Sequence, residues 1–259
     1  DSDYPDGKRP LYPADLYPPE RPGVTHGAGV EQQLVAYMKK VGVAEGNLEF
    51  FIGTHPHSDH IGGADTIIET FKPERVYTPK YKDDYIQGGT RPDPTDKEAF
   101  AKWVAHPRLW DNLYVYDQMV AAAKANDAEL IQSLTPETAR FELGSMDIEI
   151  VNYDEAYKKS PVSDANDFCW GVKVEALGQR AFLAGDINNY NGDEDALAKT
   201  LGHVDLLKLG HHGGPGSNST AYLRSILASP ATESAIAVQT GAYAHATPEL
   251  IGALDSSNA

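Results

Sequence analysis

The pattern of apolar and polar positions changes period several times along the chain. From Val30, "VEQQLVAYMKKVGVAEG" places Leu34, Met38 and Val41 at helical spacing, with Gly46 as a stop, so a helix with those three residues turned inward is expected. "NLEFFIGTH" is a short apolar run that reads as a buried strand. "SDHIGGADTIIETF" returns to helical spacing and should bury Ile67, Ile68 and Phe71, and "ERVYTPKY" is the next strand. Strand, polar loop, helix, strand is an α/β unit, and open α/β sheets commonly keep their chemistry at the carboxyl ends of strands.

The next 31 residues, "KDDYIQGGTRPDPTDKEAFAKWVAHPRLWDN", read as a connector of a length often used for a functional cover. "LYVYDQMVAAAKANDAEL" is expected as one helix. Two hairpins follow, one in "ARFELGSMDIEIVNY" about Gly144 and one in "FCWGVKVEALGQRAFLAGDIN" with Gly178 near its turn. "DEDALAKTLGHVDLLKLGHHGG" is a short helix and then a strand that ends in histidines; "STAYLRSILASPATESAIAVQTG" is helix and then strand. Residues 1–29 are different. Their Pro, Tyr and Asp content excludes helix and central strand, which leaves an extended surface arm packed through its tyrosines or a disordered tail. Residues 30–259 are expected as a single domain.

Composition narrows the class. The 259 residues are 41% apolar and 23% charged, ordinary for a globular protein, and no apolar run is long enough to span a bilayer. No leader-like segment opens the sequence, so no signal peptide is expected in it, which does not place the protein in the cytoplasm. A net charge of -16 disfavours a broad nucleic-acid surface, which needs clustered Lys and Arg. The lone Cys169 has no partner for an internal disulfide and reads as a small core residue.

The chemistry is concentrated at three strand ends. In "HPHSDH", His55 and His57 are two apart and can project to one side of an extended loop, while Asp59 and His60 turn toward a second point. Imidazole and carboxylate are the usual ligands of zinc and similar divalent ions, so one tight loop could feed two adjacent metals. Three histidines in six positions are improbable by chance when the chain has only nine. Asp186 follows the apolar "RAFLAGDIN", where it could bridge two ions or simply close a turn. His211 and His212 follow "VDLLKLG". Each of the last two features is ambiguous alone; together with the first they are specific.

"THPHSDHIGG", "FLAGDINN" and "DLLKLGHHGG" resemble the metallo-β-lactamase superfamily, whose signature is His-x-His-x-Asp-His followed by a distant Asp and His. The resemblance implies an αββα sandwich, two mixed β-sheets face to face with helices outside, and a two-metal hydrolytic site at one edge. "RLWDNLYVYDQ", "ELGSMDIEIVNY", "VDLLKLGHH" and the opening "DYPDG" are also similar to the catalytic modules of teichoic-acid phosphorylcholine esterases, choline-binding surface enzymes of Gram-positive bacteria. That implies a secreted or cell-surface bacterial protein. The superfamily pattern further implies two or three strands ahead of the arm and more strand after Ala259, so terminal strands are expected to be lacking. Many relatives use another histidine between the cluster and the aspartate; here residues 61–185 contain only His106, which reads as packing or surface. Asp164, Asn166 and Asp167 could help, or water could fill the place.

On this resemblance His55 and His57 hold one metal, Asp59, His60 and His212 the other, and Asp186 bridges; His211 and His212 could exchange roles. Two ions, zinc in the first instance and manganese or iron as alternatives, would activate a shared water to attack a phosphodiester phosphorus. Asp59 orients the centre, and His211 donates to a phosphoryl oxygen or leaving group. Choline would need aromatic faces, for which Trp110 and Tyr114 are candidates unless they only anchor the following helix; Tyr4, Tyr12 and Tyr17 are further ones. Asn166 and His245 are placed at the substrate, whereas His26 and His203 read as structural. The expected partner is a phosphodiester, small or borne on a choline-decorated wall polymer. Two other functions fit the same residues: a carbonyl hydrolase of the lactonase or β-lactamase type, and a non-catalytic module that binds choline-bearing polymer.

Overall fold

The computed structural model describes residues 29–109, 111–153, 161–227 and 235–237. The chain divides into two compact units. One contains the described residues up to Ser133 together with 161–165; the other runs from Leu134 to 153 and from Asn166 onward.

The first unit is built on a parallel sheet of three short strands, β1 (Phe50–Ile52), β2 (Arg75–Tyr77) and β3 (Glu129–Ile131), in the order β1-β2-β3. Its helices are α1 (Glu31–Lys40), α2 (Ser58–Ile61), α3 (Ala64–Phe71), α4 (Lys97–Val104) and α5 (Asn112–Ala125). As the spacing predicts, α3 buries Ile67, Ile68 and Phe71. Ile67 and Phe71 form a cluster with Val35 of α1, against which Met38, Val43, Leu48 and Phe51 pack. Burying a side chain of that size contributes about 1.5–3 kcal/mol, so this cluster fixes how the helices lie on β1.

Three expectations for this unit are corrected. Leu34 and Val41 are 46% and 58% exposed, and the inward positions of α1 are Glu31 and Val35 with Met38 half-buried. The helix carries two apolar stripes at helical spacing, and the one ending in Val35 and Met38 meets Ile67 and Phe71. Nor does α1 reach Gly46: it stops at Lys40, and Gly42 takes a φ of 97°. The helix expected over 113–130 ends at Ala125; Asn126 caps it, Asp127 turns the backbone to a φ of 56°, and the next residues become β3. The long connector contains α4, started by Asp96, whose side chain accepts from the Ala99 N–H at 3.0 Å.

The second unit is a mixed six-stranded sheet in the order β4-β5-β6-β7-β8-β9, made of β4 (Arg140–Leu143), β5 (Met146–Val151), β6 (Gly171–Ala176), β7 (Gln179–Leu183), β8 (Leu206–Lys208) and β9 (Ala235–Ala237). The first four strands are antiparallel and the last two pairings are parallel. Both expected hairpins form. Ala176 pairs with Gln179 across the two-residue loop Leu177-Gly178, whose φ values are both positive, 53° and 77°. That is the twist a tight hairpin needs, and it suits Gly178 far better than Leu177. Helices α6 (Asp193–Thr200) and α7 (Thr220–Leu227) cover the sheet through Leu197, Leu201, Tyr222, Leu223, Ile226 and Leu227, which pack with Phe182, Leu207, Leu209 and Cys169. Cys169 is the buried core residue expected. The α/β class and the two helix-flanked sheets agree with the sequence; the three-stranded sheet is wholly parallel among the described residues rather than mixed.

Candidate metal centre

In the first unit the chain leaves β1 through Gly53. Its N–H donates to the Tyr77 carbonyl at 2.8 Å, and a Cβ on it would lie 2.9 Å from Met119 Sδ of α5. A side chain there would push the end of Met119 aside and press on Ile61, and the histidine loop follows at once. His55 and His57 are buried, at 0% and 4% exposure. The Thr54 hydroxyl sits 3.1 Å from His55 Nδ1, and His55 Nε2 lies 3.2 Å from His57 Nδ1. Two imidazole nitrogens therefore converge in a buried space. His60 stacks beside them, its ring centroid 4.2 Å from that of His55, and its Nε2 is 3.4 Å from Asp59 Oδ2. Ser58–Ile61 forms the single helical turn α2, which Gly62 and Gly63 separate from α3. This turn puts Asp59 and His60 on a helical segment after the extended His55-Pro-His57, while the His60 ring stays against that of His55.

The other ring nitrogen of His57 is not idle. Nε2 faces Asp164 Oδ1 at 3.5 Å, and Asp164 Oδ2 takes a hydrogen bond from Arg108 at 2.9 Å. A carboxylate on the far nitrogen of a ligand histidine fixes its tautomer and orientation. His106 has both ring nitrogens engaged in its own loop, Nε2 with the Gln87 carbonyl at 2.9 Å and Nδ1 with the Arg108 N–H at 3.1 Å. This is the packing role expected of it.

In the second unit Asp186 follows β7 and the His211–His212 pair follows β8. Asp186 is 2% exposed and His212 5%. His212 Nε2 is 3.4 Å from Asp186 Oδ2, while the other carboxylate oxygen is 3.8 Å from Lys208 Nζ. Lys208 also donates to the Gly185 carbonyl at 2.7 Å, and the same carbonyl accepts the His211 N–H at 3.1 Å. The Asp186 N–H donates to Cys169 Sγ at 3.1 Å. The turns bearing Asp186 and the two histidines are thus tied to each other and to the core. His211 is half-buried, with Nε2 3.4 Å from Asn166 Nδ2, so Asn166 and His211 share one corner. Both histidines have left-handed backbones, with φ of 48° and 54°.

The donor sets fit divalent cations within each unit. His55 with His57, Asp59 with His60, and Asp186 with His212 each bring imidazole or carboxylate donor atoms within 4.8 Å of one another; the first and last pairs are buried, and Asp59 and His60 half-buried. Tyr114 lies in α5 and is 6% exposed. Trp110, His245, His26 and the arm tyrosines Tyr4, Tyr12 and Tyr17 lie outside the described residues. His203 pairs with Asp205 at 3.5 Å, away from these groups in the sequence and bound into the β7–β8 connection. Sequence reasoning missed Thr54, Arg108, Lys208, Glu194 and Asn218. Of these only Lys208 left a signal, as the lone charge in the apolar run "LLKLG".

Comparison with known proteins bears on the first part of the chain. The family model described as "Metallo-beta-lactamase superfamily" matches residues 22–134, a stretch that contains the whole histidine loop. No curated protein matches the chain. Among solved structures, CmlA, a diiron β-hydroxylase from Streptomyces venezuelae, is similar at 14% identity and a TM-score of 0.36 over 62% of this chain and 24% of that one. Zn2+-bound PqqB from Methylobacterium extorquens is similar at 16% identity and a TM-score of 0.32 over 62% of this chain and 44% of that one. The chain spans less than half the length of either protein. Residues 22–134 thus resemble the metallo-β-lactamase superfamily, most of whose members are metal-dependent hydrolases, and the histidine loop within them offers donor atoms that could hold a metal ion.

Proposed function

We propose that the protein is a two-metal phosphodiesterase that releases phosphorylcholine from choline-bearing polymers outside the cell. In this reading the histidine loop and the Asp186 and His212 turns serve one centre. His55 and His57 would hold one cation and Asp59, His60 and His212 the second, with Asp186 available as a further carboxylate donor. The observation that supports it best is the convergence of His55 Nε2 and His57 Nδ1 at 3.2 Å in a buried loop directly after a strand. Buried imidazole nitrogens need polar partners, and two of them brought within 3.2 Å of each other form a donor pair of the kind that divalent cations take.

Divalent cations held there would supply Lewis acidity, lowering the pKa of water and offsetting charge on phosphoryl oxygens. The chain's own groups do the rest. Asp164, braced by Arg108, orients the His57 ring. Asp59 orients His60, its oxygen 3.4 Å from Nε2. His211, half-buried beside Asn166, is placed to pass a proton to a departing oxygen, and the Asn166 amide can donate to a phosphoryl oxygen. Lys208 adds a positive charge near Asp186.

The choice of phosphorus over a carbonyl carbon rests on the similarity of "RLWDNLY" to the phosphorylcholine esterases. Turnover of p-nitrophenyl phosphorylcholine and of nitrocefin by the zinc-loaded protein tests it. Hydrolysis of the first without the second is expected; hydrolysis of nitrocefin alone overturns the phosphodiester assignment in favour of a carbonyl hydrolase.

A further inference from the structure

We propose that Asn218, anchored by Glu194, is a positioning residue that sets the His211–His212 turn in the shape that presents His212 as a ligand; this rests on the reading of His212 as a metal ligand. The turn cannot hold itself. Consecutive non-glycine residues at φ of 48° and 54° persist only where the surroundings over-determine them. Here the surroundings begin at Gly210. The Asn218 side chain pairs with both peptide groups of that residue: Oδ1 accepts from the Gly210 N–H at 3.0 Å, and Nδ2 donates to the Gly210 carbonyl at 2.9 Å. The residue that enters the histidine pair is therefore clamped on both sides. It is also pressed against the Asp186 turn, since a Cβ on Gly210 would lie 2.5 Å from the Ile187 carbonyl oxygen.

Asn218 is in turn fixed. Its own φ is 61°, a conformation that asparagine tolerates better than most residues. Its N–H donates to Glu194 Oε1, and the N–H of Ser219 donates to Glu194 Oε2 at 2.9 Å. Glu194 is 1% exposed and Asn218 3%. Burying a carboxylate and an amide to tie α6 to α7 would be redundant, because Leu197, Leu201, Tyr222 and Leu223 already bind those helices in one apolar cluster. The polar pair has a different product: it delivers a fixed amide to Gly210, and through it a fixed direction to His212.

The test is Co2+ titration of the 259-residue chain, followed by visible absorption, with circular dichroism of the metal-free protein as the folding check. Asn218→Gly removes the amide yet keeps left-handed backbone accessible. It should fold and bind Co2+ about 10- to 100-fold more weakly, with an altered band shape. Glu194→Ala should weaken binding in the same direction, and Glu194→Gln should recover most of it, since its amide oxygen still accepts one N–H. If Asn218→Gly does not fold, Asn218→Asp, which keeps the acceptor and loses the donor to Gly210, is read in its place. Wild-type affinity and spectrum in folded Asn218→Gly and Glu194→Ala, with binding lost in His212→Ala, overturn the positioning role and leave the ligand reading standing. Undiminished binding in His212→Ala overturns the ligand reading itself, and the proposal with it.

Discussion

His211 and His212 together hold two L-residues in left-handed backbone, at about 1–2 kcal/mol each. Such a cost is maintained where the direction of a side chain matters more than stability. His57 shows the same economy differently, one nitrogen toward His55 and the other toward Asp164. His57→Ala should therefore lose bound metal and hydrolytic activity together, read by metal content and turnover on the same sample; full activity after metal loss would contradict the assignment. Glu194 carries a second prediction. Burial pushes its carboxyl above the usual value of 4.5, against the pull of the Ser219 and Asn218 N–H groups and with a smaller push from Asp195. A raised carboxyl stabilises the fold below about 4.5, and that contribution is lost as the pH rises through its folded value. Glu194→Gln has no such loss. Its thermal stability relative to wild type should improve as pH rises from about 4.5 toward neutrality, and a difference that is flat or falls with pH would show that the carboxyl is not raised.

Turns and caps decide where the elements begin and end. Leu177, 95% exposed with a φ of 53°, stands where a two-residue hairpin loop favours Asn ahead of Gly. Leu177→Asn should stabilise the β6–β7 hairpin by about 1 kcal/mol in urea unfolding, because it relieves a left-handed leucine and leaves no buried contact. Phe71→Ala, which hollows the α1–α3–β1 cluster, should cost about 3–5 kcal/mol, measured the same way. The loops that bear the candidate ligands were legible in the sequence because imidazoles and carboxylates at such tight spacing are rare outside candidate metal sites. The hairpins were legible because glycine marks their turns. The buried stripe of α1 was not, since the helix carries two apolar stripes and only α3 decides between them. Nor was β3, because "AAAKANDAEL" is mostly strong helix formers and the break is confined to Asn126 and Asp127, the second at positive φ. The Glu194–Asn218–Gly210 links join residues 24 and 8 positions apart, a helix-start glutamate and two ordinary turn residues, so no local pattern betrayed them.

At the scale of the whole molecule the charge of -16 matters most. Self-repulsion of this size opposes the compact state and is screened by salt. The melting temperature of the metal-free protein should rise as NaCl increases from about 10 to 200 mM, a range over which the Debye length falls from about 30 Å to under 10 Å. A flat or falling melting temperature would mean that local ion pairs such as Arg140–Glu149–Lys173 outweigh the net repulsion. Bound cations would relieve the same repulsion where His55, His57, Asp59, His60, Asp186 and His212 are proposed to converge. Among the described residues no helix is long and apolar enough to cross a membrane. The most direct test of the account is the metal content of the zinc-loaded, exhaustively dialysed protein, measured by inductively coupled plasma mass spectrometry beside Asp186→Ala. The account predicts two equivalents per chain in the wild type and a loss of at least one in the variant. No retained metal in the folded wild type, or two equivalents in Asp186→Ala, would contradict it.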